Sequence, residues 1–200
     1  MKAEEIKNTV VVSDLKDFDL GQTMECGQCF HFIKLGENEY GISAYGHLLH
    51  AKQDGNSLYL YNTGIEEFEN MWRHYFDLDR DYGEIKAFLL NDDEKLREAV
   101  ETMWGVRILN QEFFETLISF IISQNKQIPH IKQIVANISK GYGEYLGSID
   151  GNEFYRFPTA EELSAASEEE LRACKTGFRA PYIWNAVQFV KDGILNEEEL

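Results

Sequence analysis

At Gly64 the spacing of apolar residues changes, and no other feature of the chain constrains its fold as strongly. Before that point the pattern is that of strands with one buried face. Val10, Val11 and Val12 are β-branched, Phe18 and Leu20 alternate with Asp19 and Gly21, and Phe30 and Phe32 alternate with His31 and Ile33. Tyr40 to Tyr45 and Leu58 to Tyr61 follow, with Gly36-Glu-Asn38 and Asp54-Gly-Asn56 as hairpin signals. An antiparallel meander from residue 9 to about residue 62 is expected.

After Gly64, Ile65, Phe68, Met71, Trp72, Tyr75 and Phe76 take helical spacing. Tyr82, Ile85, Phe88 and Leu89 predict a second helix, and a third runs from about Asp92 to Met103. Phe113, Phe114, Leu117, Ile118, Phe120, Ile121 and Ile122 make the next helix apolar nearly all round, which predicts a place at the centre of a bundle. Pro129 opens a helix with Ile131, Ile134, Val135 and Ile138 on one stripe. Thr159-Ala-Glu-Glu162 and Ser167-Glu-Glu-Glu170 are capping boxes, so the glutamates at 161–170 read as helix starts rather than a metal site. Gly177 ends that helix, and Pro181 opens another that stops at Gly193. Strands followed by helices give an α+β chain. The expected division is a sheet domain with flanking helices over 9–100 and a helical domain over 101–200.

With 200 residues, 44% of them hydrophobic, the chain can bury a core, and only three Pro and 15 Gly exclude wholesale disorder and collagen-like repeats. No apolar run approaches the roughly 18 residues that a membrane span needs. Met1 to Glu5 lacks the basic start and apolar stretch of a signal peptide. Three cysteines cannot all pair within the chain, which favours a reducing, intracellular setting. The net charge of −16 opposes phosphate binding if it is spread evenly. It is not. Residues 107–140 carry Arg107, Lys126, Lys132 and Lys140 against Glu112 and Glu115, and residues 171–191 carry Arg172, Lys175, Arg179 and Lys191 with no acid.

Three clusters could carry chemistry. Cys26-Gly-Gln-Cys29 has the spacing of a redox pair or half a zinc site. It reads into a strand rather than opening a helix and lacks further well-spaced ligands, so structural cysteines are favoured and no metal is expected. Gln124-Asn-Lys-Gln127 ends a very apolar helix just before Pro129. It is either a plain helix–helix turn or a polar wedge at a helix N-terminus, where backbone N–H groups hold phosphate and amides read base edges. Thr176-Gly-Phe-Arg179 lies between a Gly stop and a Pro start. It is either a hydrophobic staple with a surface arginine or an aromatic wedge beside a base-reading guanidinium.

These residues also carry a family likeness. Asp19-Leu-Gly-Gln-Thr-Met-Glu-Cys-Gly-Gln-Cys-Phe30 resembles the start of 8-oxoguanine DNA glycosylases, with their Ser/Cys-Gly-Gln-x-Phe. Gly105-Val-Arg-Ile-Leu109 followed by Phe120-Ile-Ile-Ser-Gln-Asn125 is similar to that family's helix and Asn-rich loop, and Gly177-Phe-Arg-Ala-x-Tyr182 to its Gly-Tyr-Arg-Ala-x-Tyr segment. The matches keep the family's order over about residues 9–195.

The resemblance implies a TATA-binding-protein-like antiparallel sheet domain followed by a helix-hairpin-helix glycosylase domain, in base-excision repair. The enzyme would extrude 8-oxoguanine from duplex DNA, a lysine assisted by an aspartate would attack the sugar C1′, and the Schiff base would permit strand cleavage by β-elimination. Gly27, with Gln28 and Phe30, would recognise the lesion, the Gly27 carbonyl meeting the N7–H of the oxidised base. Asn125, Lys126, Gln127, His130, Phe178 and Arg179 would bind DNA and the estranged cytosine. His130 stands where the family has a second cytosine-reading arginine, and Phe178 replaces the usual Tyr. No Leu-Pro-Gly-Val-Gly-x-Lys hairpin occurs in 1–200, so both catalytic residues are expected beyond Leu200 and the chain reads as the first two-thirds of an enzyme. Expected alongside are a monomer on double-stranded DNA, no cofactor and no membrane. The competing readings are an alkylated-base DNA glycosylase, a non-catalytic DNA-binding module and a Cys26/Cys29 redox or zinc protein.

Overall fold

Asp19 begins a helix where alternation predicts a strand. In the computed structural model, which describes residues 1–92 and 96–199, its carboxylate accepts the Gln22 N–H at 2.7 Å and caps α1 (Leu20–Glu25). Leu20, Thr23 and Met24 lie on the buried side of that helix. The i, i+3, i+4 spacing outranks the four-residue alternation of Phe18 to Gly21 because the cap and the buried stripe reinforce each other.

Six strands form one sheet in the order β1-β2-β6-β5-β4-β3. They are β1 (Lys2–Glu5), β2 (Thr9–Ser13), β3 (Phe32–Gly36), β4 (Glu39–Ala44), β5 (His47–Asp54) and β6 (Ser57–Tyr61). Antiparallel pairing sets Val10 opposite Leu60 and Val12 opposite Leu58, and sets Ala51 opposite Leu60 on the other side. All five side chains are fully buried, so the register puts one apolar face inward. The expected meander is only partly there: β3 to β6 follow one another, but β2 pairs with β6 rather than β3, β1 precedes the expected span, and β3 starts at Phe32, leaving Phe30 outside the sheet.

The first helical stretch comprises α2 (Ile65–Glu67), a π-helical turn over Phe68–Trp72 and α3 (Arg73–Tyr75). Then come α4 (Tyr82–Asp92) and α5 (Arg97–Thr102). The helix expected from about Asp92 is therefore α5, and residues 93–95 lie outside the described ones. Farther on are α6 (Phe113–Ser123), α7 (Ile128–Tyr142), a hairpin of β7 (Tyr145–Ile149) and β8 (Asn152–Tyr155), α8 (Ala160–Leu163), α9 (Glu168–Leu171) and α10 (Ala180–Lys191). Both capping boxes form as expected, at Thr159 with Glu162 and at Ser167 with Glu170.

The chain makes two compact units, one of residues 1–29, 33–41 and 49–110, the other of residues 30–32, 42–48 and 111–200. The core of the first takes Val10, Val12, Leu20, Met24, Tyr40, Leu58, Leu60, Phe68, Trp72 and Phe76. Each such large apolar side chain contributes about 1.5–3 kcal/mol by leaving water. The core of the second takes Ile118 and Ile122 from α6, Ile131, Ile134, Val135 and Ile138 from α7, Leu163, Leu171, and Ile183 and Val187 from α10. Helix α6 departs from expectation. Only Ile118, Ser119 and Ile122 are buried among its described residues, and Phe120 is 65% exposed. Its apolar composition specified a helix but not what covers each side of it.

Candidate nucleic-acid interface

In the first unit, α1 runs into the Cys26-Gly-Gln-Cys29 turn. Cys26 is the C-cap, and Gly27 takes φ +89°, a conformation that L side chains rarely adopt. Three side chains of this segment bond to alternate residues of the stretch 105–109. Gln22 Oε1 accepts the Gly105 N–H at 2.8 Å. The Thr23 hydroxyl donates to the Gly105 carbonyl and accepts the Arg107 N–H, both at 3.2 Å. Gln28 donates from Nε2 to the Arg107 carbonyl at 2.8 Å and accepts the Leu109 N–H at 2.9 Å. Residues 105–109 thus act as a strap held mainly by side chains, with one backbone bond, from the Asp19 N–H to the Gly105 carbonyl at 2.7 Å. Gly105 is obligatory: a Cβ there would sit 2.1 Å from Asp19 Cβ.

Arg107 holds the strap from the other side. Its guanidinium is buried and donates to the carbonyls of Lys16, Asp17, Asp77 and Arg80 at 2.6–3.1 Å. It also lies 4.4 Å from the Tyr82 ring centre. Burial lowers its pKa from the ordinary arginine value, while Tyr82 and nearby aspartates oppose that shift. The cysteines of the turn are free thiols, Cys26 exposed and Cys29 buried. They close a helix instead of opening one, and no group of three potential metal ligands occurs among the described residues.

In the second unit, α6 ends at Gln124, and Asn125 takes the left-handed region at φ +57°, which asparagine tolerates. The loop is short enough that the Lys126 N–H still reaches the Ser123 carbonyl at 3.1 Å. Gln127 is the N-cap of α7 but makes no side-chain cap, and Pro129 occupies the first turn. Asn125, Gln127 and His130 are exposed and Lys126 is half-buried. Helix α7 thus starts without a side-chain cap, its His130 and Ile131 N–H groups turned back to the Gln127 carbonyl at 3.0 and 3.1 Å, beside three exposed polar side chains.

The Thr176–Arg179 segment is built differently. Lys175 at φ +71° and Gly177 at φ +65° turn the chain sharply between a π-helical turn (Arg172–Thr176) and a 3-10 turn (Gly177–Arg179). The buried Thr176 hydroxyl donates to the Leu171 carbonyl at 2.8 Å, and Asn137 of α7 donates to the Cys174 carbonyl at 3.2 Å. Phe178 is 67% exposed, whereas Arg179 is only 3% exposed and its Nε has no hydrogen-bond partner. The guanidinium carbon lies 4.4 Å from the Phe178 ring centre. Phe30 belongs to this unit and packs against its core.

A titratable cluster here has no counterpart in the sequence reasoning. His31 Nδ1 lies 3.1 Å from Glu115 Oε1, and Glu112 accepts the Tyr45 N–H at 2.9 Å. Burial, and then the Glu115 charge, push the Glu112 carboxyl above the usual range. No local pattern could have found it, because its hydrogen-bonded partners lie 84 and 67 residues apart.

The fold is that of a DNA glycosylase. A 3-methyladenine DNA-glycosylase from Archaeoglobus fulgidus superposes with a TM-score of 0.65 over 94% of this chain and 66% of that one, at 21% identity, a likeness of fold alone. Within that class the match is specific. A family model described as 8-oxoguanine DNA glycosylase, N-terminal domain, matches residues 10–117. The crystal structure of Clostridium acetobutylicum 8-oxoguanine glycosylase/lyase, in complex with dsDNA containing cytosine opposite 8-oxoG, is 39% identical with a TM-score of 0.94, over 100% of this chain and 68% of that one. The N-glycosylase/DNA lyase OGG1 of Arabidopsis thaliana is 31% identical over 176 residues, 86% of this chain and 48% of the relative. The chain belongs to the 8-oxoguanine DNA glycosylase family. It spans about half the length of the Arabidopsis relative and 68% of the Clostridium chain.

Proposed function

We propose that this chain is the lesion-recognising part of an 8-oxoguanine DNA glycosylase/AP lyase of base-excision repair. The observation that carries the reading is the Gly27 turn, with its left-handed glycine and a flanking side chain fixed on the strap, in a chain of this family. A rigid backbone carbonyl suits the task, since 8-oxoguanine differs from guanine by a hydrogen on N7 and an oxygen on C8. The Gly27 carbonyl would accept the N7–H, where guanine presents only a lone pair. Phe30 would support the flipped base. Asn125 would fill the space the base leaves, Lys126 and Gln127 would contact the backbone, and Phe178 would wedge the stack.

Arg179 and His130 would meet the estranged base. To do so Arg179 must turn outward, and its orphaned Nε makes that turn less costly, since a buried unsatisfied donor costs about 1–3 kcal/mol. In the intact protein a lysine amine would displace the base at C1′, with the glycosidic pair leaving on the base. The resulting Schiff base would then allow β-elimination of the 3′-phosphate. The hairpin to which the likeness assigns that lysine has no counterpart in 1–200. On this reading the protein works where DNA is, in nucleoid or nucleus. Among the described residues no helix is long and apolar enough to cross a membrane.

The test is equilibrium binding of the 200-residue chain to duplexes that differ only in 8-oxoguanine or guanine opposite cytosine. Tighter binding of the oxidised duplex is expected, with an affinity that falls as salt rises. Equal binding of the two duplexes overturns the reading.

A further inference from the structure

Gln28 stands next to the glycine proposed to read the lesion, yet its carboxamide is committed elsewhere. Nε2 donates to the Arg107 carbonyl at 2.8 Å and to the Thr23 carbonyl at 2.9 Å, and Oε1 accepts the Leu109 N–H at 2.9 Å. Both donor hydrogens and the acceptor therefore have backbone partners, and Nε2 also lies 3.3 Å from the Cys26 sulfur. The amide engages residues 107 and 109 as the backbone of a neighbouring strand would, taking one N–H and supplying one to a carbonyl two residues earlier. That fixes the plane of the side chain and, through its Cα, the peptide joining Gly27 to Gln28. Gly27 at φ +89° has no side chain to hold its own orientation. The nearest anchor for its carbonyl is thus Gln28, and the anchor of Gln28 is a strap that Arg107 ties to four carbonyls.

We propose that Gln28 is a positioning residue for lesion discrimination, its carboxamide clamped on Arg107 and Leu109 so that the Gly27 carbonyl points where the N7–H of the oxidised base arrives. The proposal rests on the reading of Gly27 given above. It assigns Gln28 no contact with the base. Its effect is confined to the difference between oxidised and normal base, because it acts through the one carbonyl that distinguishes them. Gln22 clasps the same strap at Gly105, away from the turn, and serves as the comparison.

The experiment measures binding of the full 200-residue chain, and of its Gln28→Ala and Gln22→Ala variants, to three duplexes: 8-oxoguanine opposite cytosine, guanine opposite cytosine, and a tetrahydrofuran abasic analogue opposite cytosine. In Gln28→Ala the preference for 8-oxoguanine over guanine falls roughly five- to tenfold, the equivalent of about one neutral hydrogen bond. Affinity for the abasic duplex stays within about twofold, and Gln22→Ala keeps the preference. If circular dichroism shows that Gln28→Ala does not fold, Gln28→Glu carries the test. It keeps the length and the acceptor for Leu109 but loses the donors to Arg107 and Thr23, and the same loss of preference is expected.

A wild-type preference that survives in the folded Gln28 variant overturns the proposal and leaves the reading of Gly27 standing. So does an equal loss in Gln28→Ala and Gln22→Ala, which would make the strap a general scaffold. A wild-type chain without preference overturns the reading itself, and the proposal with it.

Discussion

The turn at Gly27 and the segment at Arg179 are both built on left-handed backbone, at φ +89° in one and at φ +71° and +65° in the other. They differ in what their polar groups have to bond. Around Gly27 the flanking amide of Gln28 is fully matched to backbone, and the strap it grips is held from behind by a buried arginine. At Arg179 a guanidinium that is 3% exposed keeps an Nε with no partner. The first region is set before any ligand arrives. The second holds a buried guanidinium nitrogen that no described group satisfies. On the reading proposed above, a carbonyl that would tell one hydrogen from none is served by the fixed arrangement, and a side chain that would reach a base across a deformed duplex is served by the unsatisfied one.

Covalent trapping is the sharpest probe of both regions. Neither region supplies a nucleophile on this reading, so the 200-residue chain incubated with an 8-oxoguanine:cytosine duplex and borohydride should form no covalent adduct. A trapped adduct would mean that one region reacts as well as recognises, and Lys126 would be the first residue to replace. Next in size is Gly105→Ala, whose Cβ would meet Asp19 Cβ at 2.1 Å and Asp19 N at 2.6 Å. Backbone cannot yield there, so a loss of about 3 kcal/mol of stability is expected in urea denaturation. A loss below about 0.5 kcal/mol would show that the strap is not tightly held.

In the second unit, His130→Arg would place a charged guanidinium fork where an imidazole has only two ring nitrogens to offer. Preference for cytosine opposite the lesion should sharpen by about 1–2 kcal/mol, read from binding to duplexes with each of the four opposite bases. If nothing changes, His130 does not face the estranged base.

The smallest effect concerns acid. Arg156, and then the Thr159 N–H, lower the Glu162 carboxyl to about 2. A carboxyl depressed on folding adds stability above its unfolded pKa and loses it as pH falls from the usual carboxylate range toward about 2. Because Glu162 is 38% exposed, screening should keep the contribution below about 1 kcal/mol. Glu112 has the opposite sign: raised by burial and Glu115, it costs stability as pH rises through its folded pKa. Glu162→Gln should therefore weaken the chain at pH 7, and Glu112→Gln should strengthen it, in thermal melts. Equal signs would refute the assignment.

Much of the helical half is legible because its signals are local. The boxes at Thr159 and Ser167, and the prolines at 129 and 181, act within one turn of themselves. Strand β1 is not legible, since Lys2 to Glu5 is a mostly polar edge with no inward pattern. The hairpin of β7 and β8 carries its signal in Asp150-Gly151, which at φ +50° and +79° suits a two-residue turn. The site divides in the same way. Gly27, Asn125 and Arg179 stand in motifs whose likeness to a family can be read directly. The partners of Gln28 cannot be read so, because Arg107 and Leu109 lie 79 and 81 residues farther along.

That separation also governs when the turn can take shape. A ribosome releases α1 and the Cys26-Gly-Gln-Cys29 turn long before residues 105–109 leave the exit tunnel. At about 5–20 residues per second the delay is of the order of several seconds. During it, Gln22, Thr23 and Gln28 have none of their strap partners. Closure therefore costs the entropy of a long loop and arrives as a late, non-local step. A truncated or stalled chain ending before Gly105 would carry every residue of the glycine turn and still lack its fixed form.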